Sequence, residues 1–280
     1  MRVNMKTIQK IPLQQIDLSD DIFSVNYLPD LKNLRSSIGE VGLIQPVFLR
    51  KRLGGYQIVS GFRRISVMKE LGKSEIESRV FEEKERDKFQ LFSLSLHENL
   101  TTRGFNTIEK AIALDKLIHR FQIDHAIVIK TFLPSFSLEP NEKILNTYLS
   151  LARMEDEIKR YVLEEEVSRS NIRRLATLNP DDRMVILSLI SQLKLGENRL
   201  REILTLLEEI SRRNQCAEKD IVQWPDIQAI LSQKELTPSH KTERVKKVLM
   251  GLRYPKRYQM EEEFEKRRRG LNLPSNLLIH

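Results

Sequence analysis

Strand signals occupy only about the first 105 residues of this 280-residue chain, and every later apolar pattern is helical. That asymmetry limits the fold to a small mixed sheet joined to a helical region. Residues 8–11 form a short apolar run ended by Pro12. Leu31, Leu34, Ile38 and Val41 recur at helical spacing, and Gly42 closes that helix. Residues 47–49 and 56–59 flank Leu53-Gly54-Gly55 and predict a β-hairpin. Gly61 ends the second strand. A helix is expected over 62–71, stopped by Gly72, then a strand over 76–81 and a helix over 87–98. Beyond Asn106, helices are expected at 107–121, 127–133, 142–151, 155–165, 170–178, 181–193, 197–213 and 241–252. Pro134, Pro140, Pro180, Pro225 and Pro238 punctuate them. From Tyr258 onward the chain is charge-dense and reads as a frayed helix and tail. The expected class is α+β, with a mixed α/β domain at 1–105, a helical domain at 106–215 and a basic helical extension at 216–280.

One cysteine, Cys216, allows neither an intrachain disulfide nor a cysteine-based zinc site. No run approaches the roughly 18 apolar residues of a membrane span, and the opening residues lack an apolar signal core. A cytoplasmic protein without membrane association is expected. The formal net charge is +8, and it is unevenly spread. Between 241 and 257, seven basic residues (Lys241, Arg244, Lys246, Lys247, Arg253, Lys256, Arg257) face one acid, Glu243, for a local +6. Such a stripe is either the footprint of a phosphate-rich partner or a solvated helix face. The five histidines form no metal-ligand grouping, and there is no nucleophile–base pair, Walker-type loop or dinucleotide fingerprint.

Chemistry concentrates in three short segments. In Tyr56-Gln57-Ile58-Val59-Ser60-Gly61-Phe62-Arg63-Arg64, a strand feeds a glycine turn and a helix opens with two arginines. A helix N-terminus offers free amides and a positive dipole end, and arginines add bidentate donors for phosphate oxygens. Glu98-Asn99, followed by Arg103, places a carboxylate suited to hydrated Mg²⁺ beside an amide suited to phosphate. The same pair also reads as a solvated glutamate before a helix cap. Gly42-Leu43-Ile44-Gln45-Pro46 is either a connecting turn or a loop whose backbone and Gln45 side chain face a base or sugar.

In order and spacing these segments resemble the ParB N-terminal domain, a fold class that also covers sulfiredoxin-like proteins. The family pattern runs helix, Gly-(Leu/Ile)-x-Gln-Pro turn, strand, hairpin, strand ending in Gly-Glu-Arg-Arg, helix, strand and Glu-Asn-x-x-Arg. Gly42-Leu43-Ile44-Gln45-Pro46, Gly61-Phe62-Arg63-Arg64 and Glu98-Asn99 occupy those places, and Phe105-Asn106-Thr107-Ile108-Glu109-Lys110-Ala111 resembles the family's Leu-Asn-Pro-Ile-Glu-x-Ala. The likeness covers about 6–120 and is traceable to about 215, where Val167-Ser168-Arg169-Ser170-Asn171-Ile172-Arg173 lies at the family's Leu-Ser-x-Gly-His-Ala-Arg turn. The resemblance implies a CTP-gated DNA clamp. Gly42, Gln45, Pro46, Gly61, Arg63, Arg64, Asn99 and Arg103 would hold CTP, Glu98 would support Mg²⁺, and two N-domains would engage each other when nucleotide is bound. It further implies duplex DNA, and a ParA-type ATPase, as partners on the nucleoid. Two departures stand out: Phe62 replaces the motif glutamate, and Arg103 lies one position late. On a helix that offset turns a side chain by about 100°, so binding is expected over hydrolysis, with at most a slow CTPase.

A helix-turn-helix would pair 127–133 with a recognition helix at 142–151, offering Asn141, Lys143 and Asn146 to base edges or phosphates. The intervening 134–140 is longer than the usual turn. Two rival functions remain at the level of sequence: a helical scaffold with a degenerate domain, and a phosphotransferase on the same fold. Sulfiredoxin chemistry needs a cysteine at the arginine motif, where this chain has Ser60-Gly61.

Overall fold

The computed structural model describes residues 7–270; the opening segment read for a signal core, and the tail beyond 270, lie outside them. The chain divides into two compact units, residues 1–153 and 154–280.

The first unit opens with β1 (Ile8–Pro12) and the two-residue β2 (Ile16–Asp17), then α1 (Lys32–Val41). The hairpin β3 (Val47–Arg52) and β4 (Gly55–Ser60) leads into α2 (Phe62–Glu70) and β5 (Glu75–Phe81). The sheet order is β1-β5-β3-β4-β2. Its pairs alternate, antiparallel for β1/β5 and β3/β4 and parallel for β3/β5 and β2/β4, so the sheet is mixed. Val47, Leu49, Ile58, Ile65, Val67 and Ile76 are all but fully buried and form the centre of the core. The hairpin and its following helix match the sequence expectation. β2 had no sequence signal, because two residues carry no periodicity.

Four helical segments complete the unit. In α3 (Lys88–Thr102), Asp87 accepts from the Gln90 amide at 2.7 Å while Gln90 bonds back, a full capping box. The start of α4 (Thr107–Asp115) is capped in the same way by Asn106 and Glu109, and a π-helical stretch, Lys116–Arg120, continues it. Short α5 (His125–Ile127) and α6 (Leu133–Ser135) flank another π stretch, Val128–Phe132, so the helical path absorbs Pro134. α7 (Glu142–Arg153) packs on α4. An aromatic cluster, with Phe92 stacked on Phe121 at 4.6 Å and Phe89 edge-on to Phe132, fills the space among them. Loss of strand signal near 105 therefore marks a change of secondary structure inside the first compact unit, whose contacts run on to Arg153.

The second unit is all helical: α8 (Asp156–Glu164), α9 (Arg169–Thr177), α10 (Pro180–Leu193), α11 (Glu197–Asn214), α12 (Glu218–Val222), α13 (Pro225–Ser232), α14 (Pro238–Arg253) and α15 (Pro255–Gly270). Leu200, Ile203, Leu204, Leu207 and Ile210 line one stripe of α11, which packs against α9, α12 and α14. Pro180, Pro225 and Pro238 each stand first in a helix, where the missing amide costs nothing. The sequence expectation had no helix between 214 and 240; α12 and α13 fill that interval. They are short, and their stripes of two buried residues each give little periodic signal.

Gly61 adopts φ +102, and a Cβ there would lie 2.5 Å from Val47 Cγ1. Gly61→Ala therefore combines left-handed strain with overpacking and is expected to cost about 2–4 kcal/mol; circular dichroism during urea unfolding measures it. In the second unit Arg183 makes a bidentate pair with Glu155, both bonds at 2.9 Å. The Arg183 hydrogen bonds hold the Glu155 carboxyl below its ordinary value near 4.5. A depressed carboxylate contributes stability above the unfolded value and loses it as pH falls through the folded one. Glu155→Gln should lower stability by about 1–2 kcal/mol at neutral pH, allowing for partial exposure of the pair. The gap should narrow as pH falls below the ordinary carboxylate range, and unfolding followed by fluorescence of Trp224, the chain's single tryptophan, checks it.

Candidate functional site

The hairpin delivers its second strand into the Gly61 turn, and Gly61 becomes the N-cap of α2. The first intrahelical bond runs from the Ile65 amide to the Gly61 carbonyl, so the amides of residues 62–64 precede the ladder at a positive dipole end. Residues 61–64 line a cleft of about 210 Å³ whose apolar side includes Phe23, Val25, Leu34 and Phe62. Its polar side holds Arg63, Arg64, Arg103, Glu98 and Asn99. The Phe23–Val25 wall is held from behind by Lys116, whose Nζ donates to the carbonyls of Asp21, Ile22 and Ser24. Burial pushes the Lys116 amine below its ordinary value, with the Asp21 carboxylate opposing.

The three arginines are held by different partners. Arg64 Nη2 donates to Glu98 Oε1 at 2.6 Å, and its Nη1 donates to the carbonyls of Gln45 and Pro46 at 3.2 and 3.3 Å. The Ser60 hydroxyl donates to the other Glu98 oxygen at 2.6 Å. Arg63 Nη2 donates to Glu109 Oε1 at 2.7 Å and its Nε to Asn26 Oδ1 at 2.9 Å. Burial and the neighbouring Arg103 charge lower the Arg63 guanidinium from its ordinary value, and Glu109 counters them. Arg103 donates from Nη1 to Glu109 Oε2 at 2.7 Å and from Nε to Asn99 Oδ1 at 2.9 Å, with its guanidinium over the Phe105 ring.

The sequence-derived candidates separate accordingly. Gln45, Gly61, Arg63, Arg64, Glu98, Asn99 and Arg103 all line the cleft. Pro46 contributes its carbonyl to Arg64. Gly42 is exposed, closes α1 with φ +77 and does not line the cleft. The one-position offset does not swing Arg103 away. α3 ends at Thr102, Arg103 leaves the helix with φ −145, and the 100° rule for a continuing helix does not apply. Two cleft partners, Asn26 and Glu109, were not singled out from sequence. Asn26 lies in an irregular segment, and Glu109 reads as an ordinary capping residue.

For a Mg²⁺ ion, the chain supplies one carboxylate and one hydroxyl, Glu98 and Ser60, and both Glu98 oxygens already hold hydrogen bonds. That donor set fits an ion carried in on phosphate oxygens, as Mg²⁺ usually is. Among the described residues no cluster of three His, Cys, Asp or Glu could hold a metal by itself, and no helix is long and apolar enough to cross a membrane.

The candidate DNA-reading residues fall in two places. Asn141, Lys143 and Asn146 are exposed at the start of α7, with Asn141 Oδ1 accepting from the Lys143 amide at 2.7 Å. On α14, Lys246 pairs with Glu202 at 2.8 Å and Arg253 with Glu209 at 2.7 Å. Lys241 donates to the Leu231 carbonyl and Arg244 to the Gln233 side chain, neither of them an acid. Lys247 and Lys256 are exposed. The Arg257 side chain lies outside the described residues.

The family model for the ParB N-terminal domain matches residues 2–100. A nucleoid occlusion protein of Halalkalibacterium halodurans is 27% identical over 179 residues, 62% of this chain and 60% of that protein. A probable chromosome-partitioning protein ParB of Vibrio cholerae is 26% identical over 166 residues, 59% of this chain and 54% of that protein. The chain thus spans little more than half the length of these relatives. A C-terminally truncated ParB of Caulobacter crescentus, solved in complex with CTP-γ-S, is 21% identical, with a TM-score of 0.31 over 62% of this chain and 94% of that one. Residues 2–100 thus match the ParB N-terminal domain, and the chain is similar beyond it to nucleoid occlusion and chromosome-partitioning proteins.

Proposed function

We propose that this protein binds a nucleoside triphosphate in the cleft at the start of α2 and uses it as a switch for association with duplex DNA, in chromosome or plasmid partitioning or related regulation. The observation that carries this reading is the convergence of Arg63, Arg64 and Arg103 on a glycine-turned helix N-terminus. Three guanidiniums and two carboxylates, Glu98 and Glu109, leave the cluster at +1, so an entering polyphosphate meets a positive site already ordered by hydrogen bonds. The choice of CTP, with Mg²⁺ held on the phosphates by Glu98, rests on the match of residues 2–100 to the ParB N-terminal domain. So do a nucleotide-dependent homodimer, a ParA-type ATPase as partner and residence on the nucleoid.

Hydrolysis should be slow. Phe62 stands where the family motif has a glutamate, and neither Glu98 oxygen is free to orient water while Arg64 and Ser60 hold it. For DNA, the exposed Asn141, Lys143 and Asn146 edge of α7 offers base contacts after the six-residue connection 136–141, in a helix-turn-helix arrangement. The α14 segment offers phosphate contacts. One observation favours the rival scaffold reading for the second unit: Lys246 and Arg253 are neutralised by acids of α11. Surface pairs of this kind are weak enough to exchange for phosphate.

Three outcomes are expected. Calorimetric titration with CTP and Mg²⁺ should give binding that Arg63→Ala and Arg64→Ala each weaken by about 1.5–3 kcal/mol; variants that fold and bind like the parent contradict the site. Phosphate release should stay well below one turnover per minute without a partner, and faster turnover contradicts the binding-only reading. Duplex DNA affinity should fall by about two orders of magnitude between 50 and 200 mM salt if about four phosphates are neutralised, and truncation before Lys241 should flatten that slope. An unchanged slope, or no binding at low salt, favours the scaffold.

A further inference from the structure

Glu109 stands third in α4, where a capping glutamate is ordinarily solvated, yet its side chain is only 1% exposed. Its two oxygens take one arginine each, Arg63 on Oε1 and Arg103 on Oε2, both at 2.7 Å. Asn26 Oδ1 accepts from the same two side chains, from Arg63 Nε at 2.9 Å and Arg103 Nη2 at 3.4 Å. Arg63 therefore commits Nε and Nη2 to the protein, which fixes the plane of its guanidinium and keeps Nη1 for a ligand. Two guanidiniums this close repel, and a carboxylate between them is what lets both stay in one half-buried cluster. The cap alone does not require the charge. A capping box takes glutamine as well as glutamate at this position, so the carboxylate has a second task.

We infer that Glu109 is the positioning residue of the phosphate cradle: it holds Arg63 and Arg103 side by side, with their remaining donors turned to the outer phosphates of a bound nucleotide. The inference rests on the nucleotide reading above and assigns that site a residue outside the arginine and Glu-Asn motifs. Glu109 touches no ligand atom in this role and acts only through the two arginines. Its removal should therefore affect ligands in proportion to their phosphates. Loss of fold would instead lower the affinity of every ligand together.

The test titrates the full chain with CTP, CDP and CMP in Mg²⁺. Glu109→Gln preserves the cap and removes the charge. It is expected to weaken CTP by about 10- to 100-fold, the scale of one or two charge-assisted hydrogen bonds. CMP should change little, so the preference for CTP over CMP collapses. Glu109→Asp, which keeps the carboxylate, should restore part of that preference. If Glu109→Gln does not fold, Arg103→Met is compared with Arg103→Met/Glu109→Gln, which retains the parent's net charge in the cluster. The double variant should lose about a further tenfold in CTP affinity as Arg63 is released. Equal CTP-to-CMP preference in parent and Glu109→Gln, or equal affinity in the single and double variants, overturns the inference while leaving the nucleotide reading intact. A parent that binds no nucleotide overturns both.

Discussion

The close approach of Gly61 to Val47 is the constraint on which the site depends. β4 must end, reverse into the left-handed region and start α2 within one residue, directly against the side chain that opens β3. Only a residue without a Cβ fits there. Because the turn is so tight, Ser60 and Arg64 emerge on either side of it and reach the same carboxylate, Glu98 of α3. Sheet, α2 and α3 are thereby locked at one point, beside the cleft that residues 61–64 line.

The cleft is ordered before any ligand arrives. Each of its arginines already has at least two protein partners, so side-chain entropy is lost on folding and not on binding. The same pairing lowers the net charge to +1, which weakens long-range attraction but sharpens geometry. On the proposed reading, a ligand with several phosphate oxygens competes with Glu98 for Arg64. A monoanion offers too little to win that competition.

Much of this was legible in the sequence, for physical reasons. The hairpin, the Gly61 turn and the α2 arginines are local features, set by residues adjacent in the chain. Arg103 lines the cleft, and the rotation argument against it fails because it takes the helix to continue through Arg103, whereas α3 ends at Thr102. Asn26 and Glu109 were hidden because their role exists only when segments some 40 to 80 residues apart are brought together. The α14 stripe shows the converse. Its basic residues are plain in the sequence, whereas the α11 carboxylates that pair with Lys246 and Arg253 lie about 44 residues away on a different helix. α12 and α13 were missed because short helices bury too few residues to show a period.

The account stands or falls on whether the cluster of Arg63, Arg64 and Arg103 receives a nucleoside triphosphate. The direct measurement is calorimetric titration of the full chain with CTP, ATP, GTP and UTP, each with Mg²⁺. The account predicts saturable binding at one site per chain, tightest for CTP. Absence of binding by all four nucleotides to the folded protein would contradict it.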